Sequence, residues 1–138
     1  MLHNKNVMHW LFSAIMAIGV NSVNIREQFG RPIAKFQAIQ HHFAALAGEV
    51  ASIACTADMA RLSLIKNTFN SNDIDIDIAS ATVRAGISGA KVIRIAHQVY
   101  GAIGFTDEYK LHRVTRRIRS WREEFGNEII WSRRLGQL

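Results

Sequence analysis

The sequence predicts an all-α protein that folds as an up-and-down four-helix bundle. Two long segments repeat apolar residues at alternating spacings of three and four, which is the period of one helix face. The chain also lacks internal repeats, low-complexity tracts and long linkers. We therefore expect a single helical domain over 1–138, with helices over about 6–28, 34–66, 72–101, 108–121 and 127–135.

The longest expected helix follows the only proline of the chain. Arg31 precedes Pro32 and is therefore disfavoured in helical geometry, which places a turn at this point. The helix beyond the turn carries one continuous apolar seam, which should face the core. The seam consists of Phe36, Ile39, Phe43, Leu46, Val50, Ile53, Ala57, Ala60 and Leu64.

The next long helix is expected to lie at the centre of the bundle. Its seam is lined by small residues, with Gly86 and Gly89 nearby, and small side chains let a partner helix approach closely. Ser71 and Asn72 are candidate N-caps, and Gly101 should end the helix. The seam consists of Ile78, Ala81, Ala85, Ser88, Val92, Ile95 and Val99.

The formal net charge of +6 is densest in the last third of the chain. There the run HRVTRRIRSWR, 112–122, spaces Val114, Ile118 and Trp121 as the apolar stripe of an amphipathic helix. Its arginines occupy the other faces, where we expect a solvated cationic surface and no nucleic-acid partner. Retention on heparin or DNA at moderate salt would indicate the alternative.

No pattern in the sequence indicates a metal site or a membrane span. A single cysteine, Cys55, excludes a disulfide framework, and we expect it to be a small buried apolar residue of a cytoplasmic protein. His41 and His42 are adjacent and diverge on a helix, so they cannot share an ion. The apolar stretch 7–20 is too short to cross a bilayer, which takes about 20 residues, and should be a core helix.

Two carboxylates precede the break expected at 125–127. Glu123 and Glu124 stand at an interhelix turn, where a carboxylate is either exposed without a role or a base held over a pocket. The pattern alone favours an exposed carboxylate without a role.

Three segments of the chain resemble the C-terminal helical domain of acyl-CoA dehydrogenases. REQFGRPIAKFQAIQHHFAALAGEV contains the Arg-x-x-Phe-Gly and the Gln-rich helix start of that family. AHQVYGAIGFTDEYKLHRVTRR resembles the segment that closes one long family helix and opens the next. EEFGNEIIWSRRLG stands at the place of the family's Glu-Gly-Thr-Ser-Glu-Ile ending. Together they cover most of 20–136 in the family order.

The resemblance implies FAD as the ligand. Arg26 would contact the pyrophosphate, since a planar guanidinium can hold two oxygens at once. Gln28 and Phe29 would flank it, with the ring turned towards the adenine end. Phe36 and Ile39 would lie around the adenine that belongs to a neighbouring subunit.

Further contacts implied by the resemblance come from the end of the second long helix. Gln98 would hydrogen-bond the cofactor across a dimer. Gly101 and Ala102 match a glycine pair where the backbone passes close to the cofactor. Alanine replaces the second glycine, so the approach is expected to be looser.

Glu124 aligns with the family glutamate that removes the α-proton of an acyl-CoA thioester, while the β-hydrogen leaves as hydride to the flavin. Phe125 stands where the family has glycine, and Gly126 replaces a threonine. The resemblance implies an FAD-binding, oligomerising domain that is inactive alone and works in a dimer or tetramer, with another dehydrogenase subunit as a possible member. The alternative is a helical subunit that keeps the fold and assembles without turnover.

Overall fold

The computed structural model describes the backbone of residues 2–66, 71–103, 108–124 and 126–137. Side chains are described over 12–17, 19–21, 23–65, 76–100, 111–124 and 126–137. Long helices account for most of these residues, and one two-residue strand pair interrupts them. The elements are α1 (Leu2–Ile25), β1 (Glu27–Gln28), β2 (Arg31–Pro32), a 3₁₀ turn (Ile33–Lys35), α2 (Gln37–Lys66), α3 (Ser71–Ile103), α4 (Glu108–Glu123) and α5 (Glu128–Leu135).

The fold is all-α, with four helices packed as a bundle and the short α5 added to one side. α3 is central, because it packs against α1, α2, α4 and α5. α2 and α3 run antiparallel: the hydroxyl of Ser63, near the end of α2, donates a hydrogen bond to the Asp77 carboxylate, near the start of α3. The central position expected for this helix is confirmed.

The inner face of α3 follows the spacing that the sequence predicted. Six of its seven seam residues are buried, and Ile78 is half-buried. The small side chains among them allow neighbouring helices to approach from several directions. The buried residues of this seam are Ala81, Ala85, Ser88, Val92, Ile95 and Val99.

The apolar seam of α2 is buried in its middle and exposed at its end. Leu46, Ile53 and Ala60 are buried, whereas Leu64 is 43% exposed. Cys55 is exposed, so the expectation of a buried cysteine was wrong. The helix period gives the reason: Cys55 lies two residues from Ile53, which turns it by about 200° to the outer face.

A β-hairpin separates α1 from α2. Glu27 pairs with Pro32 and Gln28 with Arg31. The sequence predicted a helix up to residue 28, but α1 ends at Ile25 and residues 26–28 are not helical. The Ile33 N–H donates to the Arg26 carbonyl at 2.9 Å and closes the hairpin against the 3₁₀ turn. Proline and its preceding residue disfavour helix here, and a two-residue turn satisfies the backbone instead.

The remaining boundaries differ from the expected ones by a few residues. α3 continues two residues past Gly101 to Ile103, since one glycine inside a helix costs only about 1 kcal/mol. α4 extends to Glu123, and α5 begins at Glu128 under an Asn127 cap. The expected break at 125–127 falls partly on Phe125, which lies outside the described residues.

Four polar side chains tie the middle of α2 to the middle of α3. The Glu49 carboxylate accepts hydrogen bonds from Arg84 at 2.5 Å, Ser88 at 2.6 Å and Lys91 at 3.0 Å. Burial raises the pKa of Glu49, but the Ser88 and Lys91 hydrogen bonds and the charges of Arg84 and Lys91 outweigh it. The net result is a pKa below the ordinary value of 4.5.

One helical segment of the described chain, Gln37–Ile65, has the length and apolar composition of a membrane span. Core helices of water-soluble proteins pass the same test. This segment packs against α1 and α3, yet only 22% of its most apolar window is buried inside the chain. Much of its apolar surface therefore faces outwards.

Candidate functional site

The tip of the hairpin adopts a backbone conformation that most side chains avoid. Phe29 has a φ of +53° and Gly30 a φ of +73°, so both residues of the two-residue turn are left-handed. Turns of this type favour Asn-Gly, because asparagine and glycine tolerate positive φ. Phenylalanine at this position is strained, and such strain is concentrated at functional sites.

Two aromatic rings and one guanidinium form a cluster at the base of the turn. The rings of Phe29 and Phe36 meet edge to face, with centroids 6.3 Å apart. The Arg31 guanidinium lies over the Phe36 ring, 4.2 Å from its centroid. Phe29 is nevertheless 92% exposed, so core packing does not explain a phenylalanine at this position.

The hairpin also concentrates positive charge. Arg26, Arg31 and Lys35 are all exposed within ten residues of sequence, with Glu27 as the acidic neighbour. Among the described side chains, Arg26 takes part in no ion pair, and its guanidinium can therefore meet an external anion. Cations beside one exposed and one half-buried ring suit a ligand that carries both phosphate and a flat heterocycle.

The other residues expected at this end of the site lie on either side of the cluster. Gln28 is exposed on β1, and Ile39 is half-buried in the first turn of α2. The Ile39 and Gln40 N–H groups both donate to the Phe36 carbonyl, at 3.0 and 3.1 Å. The cluster of Phe29, Arg31 and Phe36 is therefore connected to the first turn of α2 by backbone hydrogen bonds.

The antiparallel arrangement brings the end of α3 to the same end of the bundle. A side chain at Gly19 of α1 would contact Phe43 of α2 and Tyr100 of α3, so these positions lie at one level. Gln98 is exposed one half-turn before Tyr100. Gly101 and Ala102 belong to the last turn of α3, and their surroundings lie outside the described residues.

Glu124 lies elsewhere. It is exposed in the turn after α4, four residues before Glu128, and Glu128 packs beside Gly86 of α3. Gly86 precedes Gly101 by fifteen residues on one helix, which corresponds to about 22 Å along the axis. Within this chain, the expected base and the expected cofactor contacts are therefore at two different levels of the bundle.

Sequence reasoning missed two features that the fold creates. Arg31 appeared only as the residue before proline, although its place five residues ahead of Phe36 was visible in FGRPIAKF. His97 and His112, distant in sequence, place their rings 5.3 Å apart between α3 and α4. Within the described residues, no group of three or more His, Cys, Asp or Glu side chains could hold a metal ion.

Comparison with known proteins identifies one family. The model of the acyl-CoA dehydrogenase C-terminal domain matches residues 6–136, which is nearly the whole chain. This match includes the hairpin, all of α2 and α3, and the turn that carries Glu124.

Curated relatives of the chain have several different names. Acyl-CoA dehydrogenase FadE34 of Mycobacterium tuberculosis is 31% identical over 134 residues, or 96% of this chain and 18% of that protein. Glutaryl-CoA dehydrogenase of Desulfococcus multivorans is 31% identical over 77% of this chain and 26% of its own length. The 3-sulfinopropanoyl-CoA desulfinase of Paraburkholderia xenovorans is 33% identical over 66% of this chain and 22% of its own length. The chain spans between 18% and 26% of the length of these three curated relatives.

Solved structures show the same fold. One chain of the ChsE4–ChsE5 complex of Mycobacterium tuberculosis matches 99% of this chain over 36% of its own length, with a TM-score of 0.85 and 24% identity. One chain of a G363A variant of the steroid ACAD Tcur3481–Tcur3483 matches 96% of this chain over 36% of its own length, with a TM-score of 0.83 and 25% identity.

Proposed function

Because the chain belongs to the acyl-CoA dehydrogenase family, as its C-terminal domain, we propose that it is the FAD-binding, oligomerising part of such an enzyme. The reaction is the α,β-dehydrogenation of an acyl-CoA thioester. The chain acts together with protein segments that provide the rest of the flavin and thioester sites, and it does not turn over substrate alone.

The strained turn at Phe29 is the observation that carries this proposal. An exposed phenylalanine at positive φ lowers stability and fills no core position, so packing within this chain does not account for it. A flat aromatic ligand beside the ring accounts for it. The Arg31 guanidinium over Phe36 holds the second ring of the pair in place.

The residues of the hairpin fit FAD by chemistry. Arg26 binds the pyrophosphate as a two-pronged donor, Gln28 supplies a neutral hydrogen bond, and Phe29 packs against the adenine end. Phe36 and Ile39 line the adenine region of a neighbouring copy. Gln98, Gly101 and Ala102 approach the cofactor from the end of α3, where Gln98 donates from an exposed side chain.

The bound flavin supplies a hydride acceptor for the β-hydrogen of the substrate. The part proposed for this chain is removal of the α-proton by the Glu124 carboxylate, which stands exposed after α4. Burial of this carboxylate would have to come from other protein segments, since this chain leaves it accessible. A desolvated carboxylate is a stronger base than a hydrated one and suits proton abstraction from a weak carbon acid.

The outer face of α2 is the surface proposed for assembly. Cys55, Met59 and Leu62 follow one another at helical spacing, and all three are exposed. Adjacent exposed apolar side chains on one helix face are a feature of interaction surfaces. Since the solved neighbours include a two-component complex and a two-component steroid enzyme, we propose another acyl-CoA dehydrogenase subunit as the occupant, in a dimer or tetramer.

The remaining parts of the proposal concern the cellular compartment, the metabolic role and the partners of the protein. We place the protein in the cytoplasm, in fatty acid or steroid metabolism, with no nucleic-acid or membrane partner. The apolar span of α2 is assigned to the subunit interface.

A second candidate function is supported by the Glu124 turn itself. Phe125 and Gly126 replace the family's glycine and threonine beside the carboxylate. A subunit that keeps the bundle and its interfaces but has lost turnover would tolerate these changes. In that case the chain is an assembly partner, and catalysis belongs to the other subunit.

A visible spectrum tests the first proposal. The full chain is purified alone and after coexpression with any dehydrogenase subunit encoded beside it, and the flavin bound per bundle is quantified. We expect about one flavin per site in the complex and a several-fold loss in Arg26→Ala. Arg113→Ala removes an exposed arginine from α4 and serves as the matched control.

The two candidates differ in one further measurement. Turnover of an acyl-CoA by the assembled complex should be abolished in Glu124→Gln if this chain supplies the base. A stable complex without flavin would refute the FAD-binding role. Flavin binding with full turnover in Glu124→Gln would support the assembly partner.

A further inference from the structure

A glycine in α3 forms a notch into which α5 fits. A Cβ atom built at Gly86 would lie 2.8 Å from Glu128 Cβ and 2.5 Å from its Oε2, distances that real Cβ atoms essentially never show. Gly86 is buried, and α3 packs along α5 at this level. The first turn of α5 can therefore reach its observed position only because residue 86 has no side chain.

The same glutamate is held from the other side. The Arg122 guanidinium, at the end of α4, forms an ion pair with the Glu128 carboxylate at the start of α5. The two side chains are 20% and 22% exposed, so the pair is largely removed from water. Removing one partner of such a pair would leave a poorly hydrated charge without its counterion, which is costly.

Five residues separate these partners, and hydrogen bonds hold the described ones on both sides of Phe125. The Gly126 N–H donates to the Glu123 carbonyl at 3.3 Å, and Gly126 has a φ of +89°. The Asn127 side chain accepts from the Ile129 and Ile130 N–H groups at 3.1 and 3.2 Å. Glu124 lies between these hydrogen-bonded residues, one position after Glu123 and two before Gly126.

We propose that Gly86, Arg122 and Glu128 are positioning residues for the Glu124 carboxylate. Gly86 fixes the depth to which α5 docks on α3, and the Arg122–Glu128 pair fixes the distance between the ends of α4 and α5. The carboxylate in the turn is then presented at one place relative to the bundle. This inference rests on the proposed role of Glu124 as the base.

Hydrogen exchange on the full chain tests the docking directly. In Gly86→Ala, the added methyl group displaces Glu128, and the amides of 126–135 should exchange at least about tenfold faster than in the parent chain. Amides of α2 should change little. Unchanged exchange over 126–135 would overturn the proposal.

Gly48→Ala is the matched control, because it adds the same methyl group to a long helix with no atom within 4 Å of the new Cβ. It should leave exchange over 126–135 unchanged. If both variants accelerate exchange equally, the effect does not come from the notch, and the proposal fails.

Glu128→Gln separates the ion pair from the notch. The substitution keeps the shape of the side chain and removes the charge that faces Arg122. We expect faster exchange in 123–127 and a smaller change within α5 than in Gly86→Ala. Parent-like exchange throughout would remove the ion pair from the proposal.

A kinetic isotope effect tests the positioning role in the assembled complex. With an α-deuterated acyl-CoA, Gly86→Ala should lower kcat and raise the isotope effect, because a displaced base slows proton removal. A purely structural defect would reduce the amount of active protein and leave the isotope effect unchanged, which would contradict the inference. If Glu124→Gln retains full turnover, the proposed base is wrong, while the exchange data still decide whether the notch docks α5.

Discussion

The Ser88 hydroxyl donates a 2.6 Å hydrogen bond to the Glu49 carboxylate across the contact between α3 and α2. Arg84 and Lys91 donate to the same carboxylate, and Ser88 is fully buried. A carboxylate with these partners stabilises the bundle in its charged form. The stability of the fold should therefore depend on pH in a direction that Glu49 sets.

Glu49 should stabilise the protein above its ordinary pKa and lose this contribution in acid. The folded pKa lies below 4.5, so the contribution is fully present above about pH 4.5 and disappears as the pH falls through the folded value. Glu49→Gln should lower the free energy of unfolding by about 2 kcal/mol at pH 7. The difference from the parent chain should shrink below pH 4.5, as measured by urea denaturation at fixed protein concentration.

Asp58→Asn is the control for this experiment. Asp58 pairs with Arg61 on an open surface, with the two side chains 64% and 54% exposed. Such pairs contribute about 0–1 kcal/mol. A loss of stability at Asp58 as large as the loss at Glu49 would contradict a special role for the largely buried Glu49 carboxylate.

Phe29→Asn should separate stability from ligand binding. Asparagine followed by glycine is the preferred pair for a turn with two positive φ values, so the variant should relieve about 1 kcal/mol of strain. Loss of the ring should at the same time weaken FAD retention. Thermal denaturation and the flavin content of the complex measure the two effects, and a destabilised variant with normal flavin would refute the interpretation of the turn.

Asn127→Ala should unwind the start of α5. The side chain accepts two backbone N–H groups as an N-cap, and loss of such a cap costs about 1 kcal/mol. Hydrogen exchange over 128–131 should accelerate about fivefold. Ser132→Ala, an exposed position on the same helix, should not change exchange there.

Cys55 should report on assembly. The thiol is exposed on the outer face of α2, so a maleimide should label it in the isolated chain. If this face binds another subunit, labelling should slow at least about tenfold in the complex. Equal rates in both states would show that the partner covers a different surface.

The helical pattern of the sequence predicted much of the fold. All but one of the residues in the predicted seam of α3 are buried. Small residues at helical spacing form a face that packs closely against other helices, which places the helix at the centre of the bundle. The hairpin at 27–32 was not foreseen. A two-residue strand pair has no periodicity, and the Phe29–Gly30 turn lacks the asparagine that normally marks it.

The candidate site was only partly visible from the sequence. Arg26 and Phe29 were found through a family motif, and their places on an exposed, strained turn are consistent with a ligand role. The Arg31–Phe36 contact and the notch at Gly86 depend on tertiary approach. Local spacing does not encode which side chain another helix brings into contact.

The Glu49 carboxylate links α2 to α3 near the middle of both helices, and the two ends of α2 should tolerate inserted residues differently. Each residue of helix advances the chain by about 1.5 Å and turns it by about 100°. A residue inserted in α2 ahead of Glu49 would rotate the hairpin away from the last turns of α3. The same insertion after Ser63 would shift only the last residues of α2, where Leu64 and Ile65 are already exposed. Natural length variation in this bundle should therefore be confined to the far end, beyond the salt-bridged middle.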